Sequence, residues 1–348
     1  MVTSRLRIGV AGVGHFGRYH ALKVAASERA MLVGVHDPNE ERAKSIGWEV
    51  GAPDLGFAAL LDAADALIIA APAEQHHALA AAALRAGKHV LVEKPIAATL
   101  AEADDLAALA AVRGLVLQVG HQERFSAAHA ALSGRLGPPL YIEAVRVAPF
   151  KPRGTDVSVI LDLMIHDLDL VLALMGSPIE SVDAVGAAVA SPHEDIANAR
   201  IRFVNGAVAT ITASRVSPRT ERRMRIFARD GTMAIDFANR RLTVVARDRD
   251  KPGGQPVGHP VGHPVPGVAG FGIEETSWED HDSLAAEHAA FIASVLDGAS
   301  VVVDAAAGRR ALDAALRVMA SIAHSRGLME ASGLLDAQAI PGRASGHA

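Results

Sequence analysis

The stretch ILDLMIHDLDL, residues 160–170, sets three aspartates and a histidine among leucine, isoleucine and methionine. On an α-helix, Asp162, His166 and Asp169 fall at about 0°, 40° and 340°, while Asp167 stands apart at about 140°. Apolar residues fill most of the remaining circumference, so the helix is expected to be buried. Burying two carboxylates and an imidazole is costly unless they pair or line a cavity. A structural Asp–His pair would satisfy the imidazole alone; a stripe of three exceeds what packing needs. Histidine, whose unperturbed pKa is about 6.5, is suited to taking a hydroxyl proton near neutral pH. Asp162, one turn away, is placed to orient that imidazole and stabilise its charged form. Asp169 completes the stripe on the substrate side.

A second set lies upstream. Glu93-Lys94-Pro95 closes an apolar run at what reads as the carboxyl end of a parallel strand, where ligands bind and where proline forces the chain out of the sheet. Lys94 there can donate to a reacting oxygen and hold developing alkoxide charge. The alternative assignment makes Lys94 the base, with a pKa depressed by a nearby cation. Gly12-Val13-Gly14-His15-Phe16-Gly17 has the G-x-G-x-x-G spacing, follows an apolar strand and opens a helix. Such glycines permit a tight turn and let backbone N–H groups approach a pyrophosphate at a helix N-terminus. Asp37 follows Gly17 at the end of the next strand, suited to a ribose 2′-hydroxyl and repulsive to a 2′-phosphate. Arg42 is the first cation after it, so NAD is favoured over NADP. The chemistry implied is hydride transfer from a secondary alcohol.

The elements that must position these groups are legible in the hydrophobic period. Up to about residue 120, short apolar runs (RIGVAG, AMLVGVHD, ALIIAAP, HVLVEKP, LVLQVG) alternate with helical segments. Thr99 and Glu102 form a capping box, and Gly87 closes the preceding helix. This pattern implies a doubly wound parallel sheet covered on both faces. Beyond about residue 140 the period becomes two, with hairpin turns at Asn205-Gly206 and Asp230-Gly231, so a largely antiparallel sheet is expected. Residues 281–297 and 304–325 return to helical period. The expected organisation is an α/β chain: a Rossmann domain at 1–121, an α+β domain with an open antiparallel sheet at 122–326, and a flexible tail at 327–348. The final helices are expected to pack back on the first domain. In PVGHPVGHPVPG, prolines between His259 and His263 forbid a shared helical face, so a flexible loop is expected and no metal site.

The string APAEQHHALAAAALRAGKHVLVEKPIA, with Pro72, His76 and Glu93-Lys94-Pro95, resembles the Gfo/Idh/MocA family of oxidoreductases. The glycine motif, VGHQERF at 119–125, the Asp162-x-x-x-His166 helix and the final helices extend the resemblance over nearly the whole chain. It implies Lys94, Asp162 and His166 as catalytic residues. Around the cofactor it implies Gly12, Gly14, His15, Phe16, Gly17, Asp37, Ala71, Pro72, His76, Glu93, Lys94 and Gln122. It also implies a homodimer or homotetramer formed through the free sheet face, on which Arg200, Arg202, Arg223 and Arg225 fall. The chain departs from the family pattern at Ser126, Ser158 and Met164, which bears on the shape of the substrate pocket. Within the family, GHQERF together with LDLMIHDLDLVL looks most like the branch acting on nucleotide-linked amino sugars, which oxidises UDP-N-acetylglucosamine to its 3-keto form. Arg124, Lys151 and Arg153 would supply cations to a diphosphate; these residues could equally be ordinary surface charges. A free sugar or inositol dehydrogenase is the alternative, and a non-catalytic NAD-dependent sugar sensor the alternative of another class.

Composition bounds the rest. The chain has 348 residues, half of them hydrophobic, a formal net charge of −5 and no cysteine. No basic block supports nucleic-acid or anionic-membrane binding, and disulfide and thiolate chemistry are excluded. No apolar run reaches a membrane span, and the first strand begins too early for a signal peptide. A cytoplasmic location is expected.

Overall fold

The computed structural model describes residues 5–132, 135–151, 157–247, 263–264, 270–279 and 281–335. The chain divides into two compact units, Met1–Ser126 with Asp282–Leu312, and Ala127–His281 with Asp313–Ala348.

The first unit is built on five parallel strands: β1 (Leu6–Ala11), β2 (Ala30–His36), β3 (Ala66–Ile69), β4 (His89–Glu93) and β5 (Leu117–Gly120). Their order is β2-β1-β3-β4-β5. The strands are apolar throughout because both faces are covered; every residue of β3 is buried. Between them run α1 (His15–Ala25), α2 (Glu40–Val50), α3 (Phe57–Ala63), α4 (Ala73–Arg85) and α5 (Leu100–Arg113). The capping box is present: Glu102 N–H donates to Thr99 Oγ1 at 3.2 Å and Thr99 N–H to Glu102 Oε2 at 3.0 Å. The order reverses between β1 and β3, which opens a ligand crevice at their carboxyl ends.

In the second unit, α6 (Ala127–Leu132) precedes β6 (Pro139–Val147), a π-helical turn at Ile160–Met164 and α7 (Ile165–Met175). There follow β7 (Ile179–Ala187), β8 (Ile196–Phe203), β9 (Val208–Ser214), β10 (Glu221–Ala228), β11 (Gly231–Asp236), β12 (Arg241–Arg247), β13 (His263–Pro264) and β14 (Phe271–Ser277). The nine strands are ordered β13-β14-β12-β11-β10-β6-β9-β8-β7, and every pairing is antiparallel except β6 with β9. Both expected hairpins form, β8–β9 around Asn205-Gly206 and β10–β11 around Asp230-Gly231. Alternation decides the faces: β8 buries Ala197, Ala199, Ile201 and Phe203, whereas Arg200, Arg202, Arg223 and Arg225 are exposed. His259 lies outside the described residues, and the backbone of His263 and Pro264 pairs with β14.

Two helices complete the chain: α8 (Ser283–Leu296), in the first unit, and α9 (Ala305–Ala331), which begins in the first unit and ends in the second. Val119 N–H donates to the Val303 carbonyl at 2.9 Å, beside the edge of β5. The tail expected from 327 is helical as far as Ala331, because Leu328 and Met329 continue a good helix-forming run past Gly327. Gly333, at φ 75°, follows the helix end.

Candidate active site

In the first unit the glycine loop is fitted to its strands by atoms that leave no room for a side chain. Gly12 has φ 83°, and a Cβ there would lie 2.6 Å from the Ala71 nitrogen; one on Gly17 would lie 1.8 Å from the Gly12 carbonyl oxygen. Gly14 faces open space instead, and it is the N-cap of α1 with no side chain capping the helix and no acid in its first turn. The N–H groups of that turn and the bare Gly14 suit the pyrophosphate of a dinucleotide. His15 and Phe16 are exposed beside it, and the His15 ring meets Phe16 and Tyr19 edge-on.

Asp37 at the end of β2 is buried. Its Oδ2 accepts the Val13 N–H at 3.0 Å and its Oδ1 the Asn39 N–H at 2.9 Å, so the carboxylate fixes the glycine loop as well as facing the crevice edge. Arg42 lies 3.3 Å from both carboxylate oxygens. Ala71 and Pro72 form the turn between β3 and α4. His76, buried on α4, has one ring nitrogen 2.8 Å from the Ala71 carbonyl and the other 2.7 Å from that of Pro95. Set between these two carbonyls, His76 packs that turn against the segment after Lys94.

Glu93 and Lys94 end β4, and the Lys94–Pro95 peptide is cis. Glu93 Oε1 lies 2.8 Å from His20 Nε2, and His20 Nδ1 lies 2.8 Å from His288 Nε2. Burial works to raise the Glu93 pKa, but the His20 hydrogen bond and the Lys94 charge hold it below the ordinary carboxylate value. Gln122 and Arg124 sit half-buried on a 3₁₀ turn, Gln122–Phe125, directly after β5. Among the described residues His20, Glu287 and His288 bring ligand-type atoms within 4.8 Å of one another. The facing nitrogens of the two histidines are, however, joined by a hydrogen bond to each other.

In the second unit the expected α-helix from Ile160 is corrected: Ile160–Met164 is a π turn, in which the Ile165 N–H reaches the Ile160 carbonyl, and regular α-helix starts only at Ile165. A period over five residues cannot separate i+4 from i+5 bonding, and the lead-in to the turn is held by residues distant in sequence. Val159 N–H donates to the Glu194 carbonyl at 2.9 Å, and Arg215 donates to the Val157 carbonyl at 2.8 Å. Ser158 Oγ accepts the Ile160 N–H at 3.2 Å. Arg215 is in turn held by buried Asp195 at 2.7 Å, whose carboxyl is kept far below its usual value: burial opposes this, and the Ala190 N–H, Arg215, the Val189 N–H and Ser191 outweigh it. Asp162 therefore rides on the wide turn and His166 on the first turn of α7, a geometry that recurs at functional sites. Asp162 and His166 are half-buried, as are Leu161 and Leu163. Asp162 and His166 thus keep part of their surface exposed, whereas Asp169 is buried further along α7.

Asp167, set apart by the sequence, has a different task. Its two oxygens take Arg146 Nε at 2.8 Å and Nη2 at 3.0 Å, both partners nearly fully buried, which clamps α7 to β6. Lys151 is exposed just after β6, and Arg153 lies outside the described residues. The structure thus gathers Gly12, Gly14, His15, Phe16, Gly17, Asp37, Ala71 and Pro72 along the crevice between β1, β2 and β3. Glu93, Lys94, Gln122 and Arg124 sit at the ends of β4 and β5, all within the first unit, whereas Lys151, Asp162, His166 and Asp169 belong to the second. Sequence reasoning missed Arg146, His20, Glu287 and His288. The last two had a visible signal, a Glu-His pair inside the apolar run LAAEHAAFIASVL.

Residues 6–121 match the family model described as "Oxidoreductase family, NAD-binding Rossmann fold", and residues 126–234 match the GFO/IDH/MocA C-terminal domain. The chain is 41% identical over 319 residues to UDP-N-acetylglucosamine 3-dehydrogenase of Acidithiobacillus ferrooxidans, covering 91% of this chain and 97% of that one. A solved structure of that enzyme matches with a TM-score of 0.83 over the same shares. Identity to scyllo-inositol 2-dehydrogenase (NAD(+)) of Bacillus subtilis is 31% over 234 residues, 62% of this chain and 68% of the other. A scyllo-inositol dehydrogenase of Lactobacillus casei, solved with NAD(H) and scyllo-inositol, shares the fold at 21% identity and a TM-score of 0.76, covering 92% of this chain and 98% of that one. The glycine crevice, the Glu93-Lys94-Pro95 strand end and the helix bearing Asp162 and His166 thus sit in a chain that belongs to the Gfo/Idh/MocA family of oxidoreductases.

Proposed function

We propose that the protein is an NAD-dependent dehydrogenase that oxidises a secondary hydroxyl of a nucleotide-linked amino sugar, UDP-N-acetylglucosamine being taken to its 3-keto form. The observation that carries this reading is the near-full-length similarity to an enzyme named for that reaction. A bound nicotinamide supplies the hydride acceptor. The chain supplies the rest: His166 takes the hydroxyl proton, Asp162 orients the imidazole and stabilises its charged form, and Lys94 donates to the reacting oxygen. Lys94 as the base is the rival assignment. Arg124 and Lys151, with Arg153, are the cations assigned to the substrate diphosphate, and Asp169 lines the same side. The buried carboxylate of Asp37 favours NAD over NADP. The exposed arginine-bearing face of the nine-stranded sheet is assigned to a homodimer or homotetramer contact. Among the described residues no helix is long and apolar enough to cross a membrane.

A second reading, a free sugar or inositol dehydrogenase, draws support from the scyllo-inositol relative. A sensor built on this fold has no need of Lys94, Asp162 and His166, and all three are present. The deciding experiment follows NADH formation with UDP-hexosamines, free hexoses and inositols in the presence of a ketone trap. Turnover with UDP-N-acetylglucosamine is expected; turnover only with unphosphorylated sugars rejects the nucleotide-sugar reading. His166→Ala should lower kcat by about 10²–10⁴-fold, the usual worth of general base catalysis, with NADH affinity retained. Equal loss of both, or of neither, removes His166 from the base role.

A further inference from the structure

Behind the end of β4 lies a closed chain of titratable side chains that the reaction above does not use directly. His20 of α1 stands between Glu93 Oε1 and His288 Nε2, at 2.8 Å from each. The two imidazole rings lie 5.0 Å apart, 20° from parallel. His20 and Glu287 are 0% exposed and His288 3%. Neither carboxyl oxygen of Glu287 has a hydrogen-bond partner.

The partners constrain the protons. An ionised Glu93 only accepts, so His20 Nε2 carries hydrogen, and His20 Nδ1 and His288 Nε2 share one hydrogen between them. Burial, followed by the Glu93 charge, pushes Glu287 well above the ordinary carboxylate value and keeps it protonated. Burial, then His20, holds His288 well below the usual imidazole value. Two neighbouring groups bear on this charge. Lys23 of α1 is paired with Asp282 at the head of α8, and Gln118 of β5 is neutral and donates to the Glu287 carbonyl at 3.2 Å. The negative charge of this chain of groups lies on Glu93, and the residue next to it is Lys94, whose own N–H donates to Glu93 Oε2 at 3.2 Å.

We propose that His20, His288 and Glu287 are positioning residues that pin a single negative charge on Glu93, so that Lys94 stays an ammonium and acts as hydrogen-bond donor while His166 is the base. This rests on the dehydrogenase reading above, and it decides between the two assignments of the base. A protonated donor is lost at high pH, so Lys94 sets the alkaline limb of kcat and His166 the acid limb.

The test compares His20→Leu, which removes the donor to Glu93, with His20→Gln, whose amide nitrogen reaches where Nε2 does, and Glu287→Gln, which mimics a protonated acid. NADH binding by each variant confirms its fold. In His20→Leu the alkaline limb should move acidward by about one to three pH units, the worth of a neighbouring charge, with KM for NAD little changed. His20→Gln should restore the limb, and Glu287→Gln should leave it in place. Competitive acetylation of Lys94 across pH, read by peptide mass spectrometry on NADH-bound protein, should show the same shifts in its midpoint. That labelling needs no turnover, so failure of every sugar as substrate overturns the dehydrogenase reading alone. An unmoved Lys94 midpoint in His20→Leu, a shifted midpoint in Glu287→Gln, or movement of the acid limb instead overturns the proposal. So does one equivalent of a transition metal in the purified protein that His20→Leu loses.

Discussion

Replacing Asp37 by asparagine tests the cofactor assignment in a form that separates charge from shape. The side chain is 4% exposed, so its charge is poorly screened by solvent. Two unit charges roughly 5 Å apart at an effective dielectric of about 20 interact by about 3 kcal/mol. Arg42, at 3.3 Å from both oxygens, offsets part of that field, and about half of it is a fair expectation for the relief felt by a 2′-phosphate. The 2′-hydroxyl of NAD would lose the difference between a charged and a neutral acceptor, about 1 kcal/mol. The two changes act in opposite directions on the two cofactors, so their affinity ratio should shift by about 2–3 kcal/mol, on the order of 30- to 150-fold toward NADPH. Calorimetric titration of the unliganded protein with NADH and NADPH reads this directly, without turnover. One of the Val13 and Asn39 N–H groups must then face the new amide NH₂, so a small fall in Tm is expected as well. Equal weakening of both cofactors, or a ratio that moves less than about threefold, within the spread of one neutral hydrogen bond, would refute the assignment of Asp37 to cofactor choice.

Two further outcomes follow from buried charges. Asp167→Asn should cost about 3–5 kcal/mol, because Arg146 keeps its charge in a nearly fully buried position, while Arg146→Met combined with Asp167→Leu should recover most of it. Thermal unfolding of the three proteins checks this, and a loss under about 1 kcal/mol in Asp167→Asn would mean the clamp on α7 lies elsewhere. Glu287→Gln should stabilise increasingly as pH rises. The folded protein holds a proton on Glu287 that the unfolded chain releases above the ordinary carboxylate pKa. Wild-type stability is therefore lost from that pH upward through the raised folded value, and the glutamine variant lacks this loss. A Tm difference that does not change with pH would contradict a protonated Glu287.

The parts of the fold that were legible are those written in local pattern. Strand and helix periods, the Thr99–Glu102 box, the glycine loop and the Asn205-Gly206 and Asp230-Gly231 turns each need only a few neighbouring residues, and each forms. The stripe of Asp162 and His166 was visible for the same reason, but its pitch was not. The residues leading into the π turn are held by Glu194 and Arg215, which arrive from other parts of the chain. Asp167 was separated from the stripe by angle alone; that it clamps Arg146 depends on a strand 21 residues earlier. His20 and His288 are 268 residues apart and share a hydrogen bond, which no window of sequence displays. The parallel pairing of β6 with β9 is likewise invisible to alternation, because alternation fixes faces and leaves partners open.

The first unit is interrupted: residues 127–281 intervene before α8 returns to it. During synthesis, at about 5–20 residues per second, the interval is on the order of ten seconds or more. Through that time the nascent Rossmann sheet has β1 to β5 but lacks the helix that carries Glu287 and His288, and His20 lacks its second partner. The apolar side of α1 that Phe291 and Ile292 later help to close is exposed for as long. The half-made unit is accordingly the species most open to chaperone capture. A ribosome stalled before residue 283 should present a sheet that is protease-sensitive around α1 and becomes resistant once α8 has emerged.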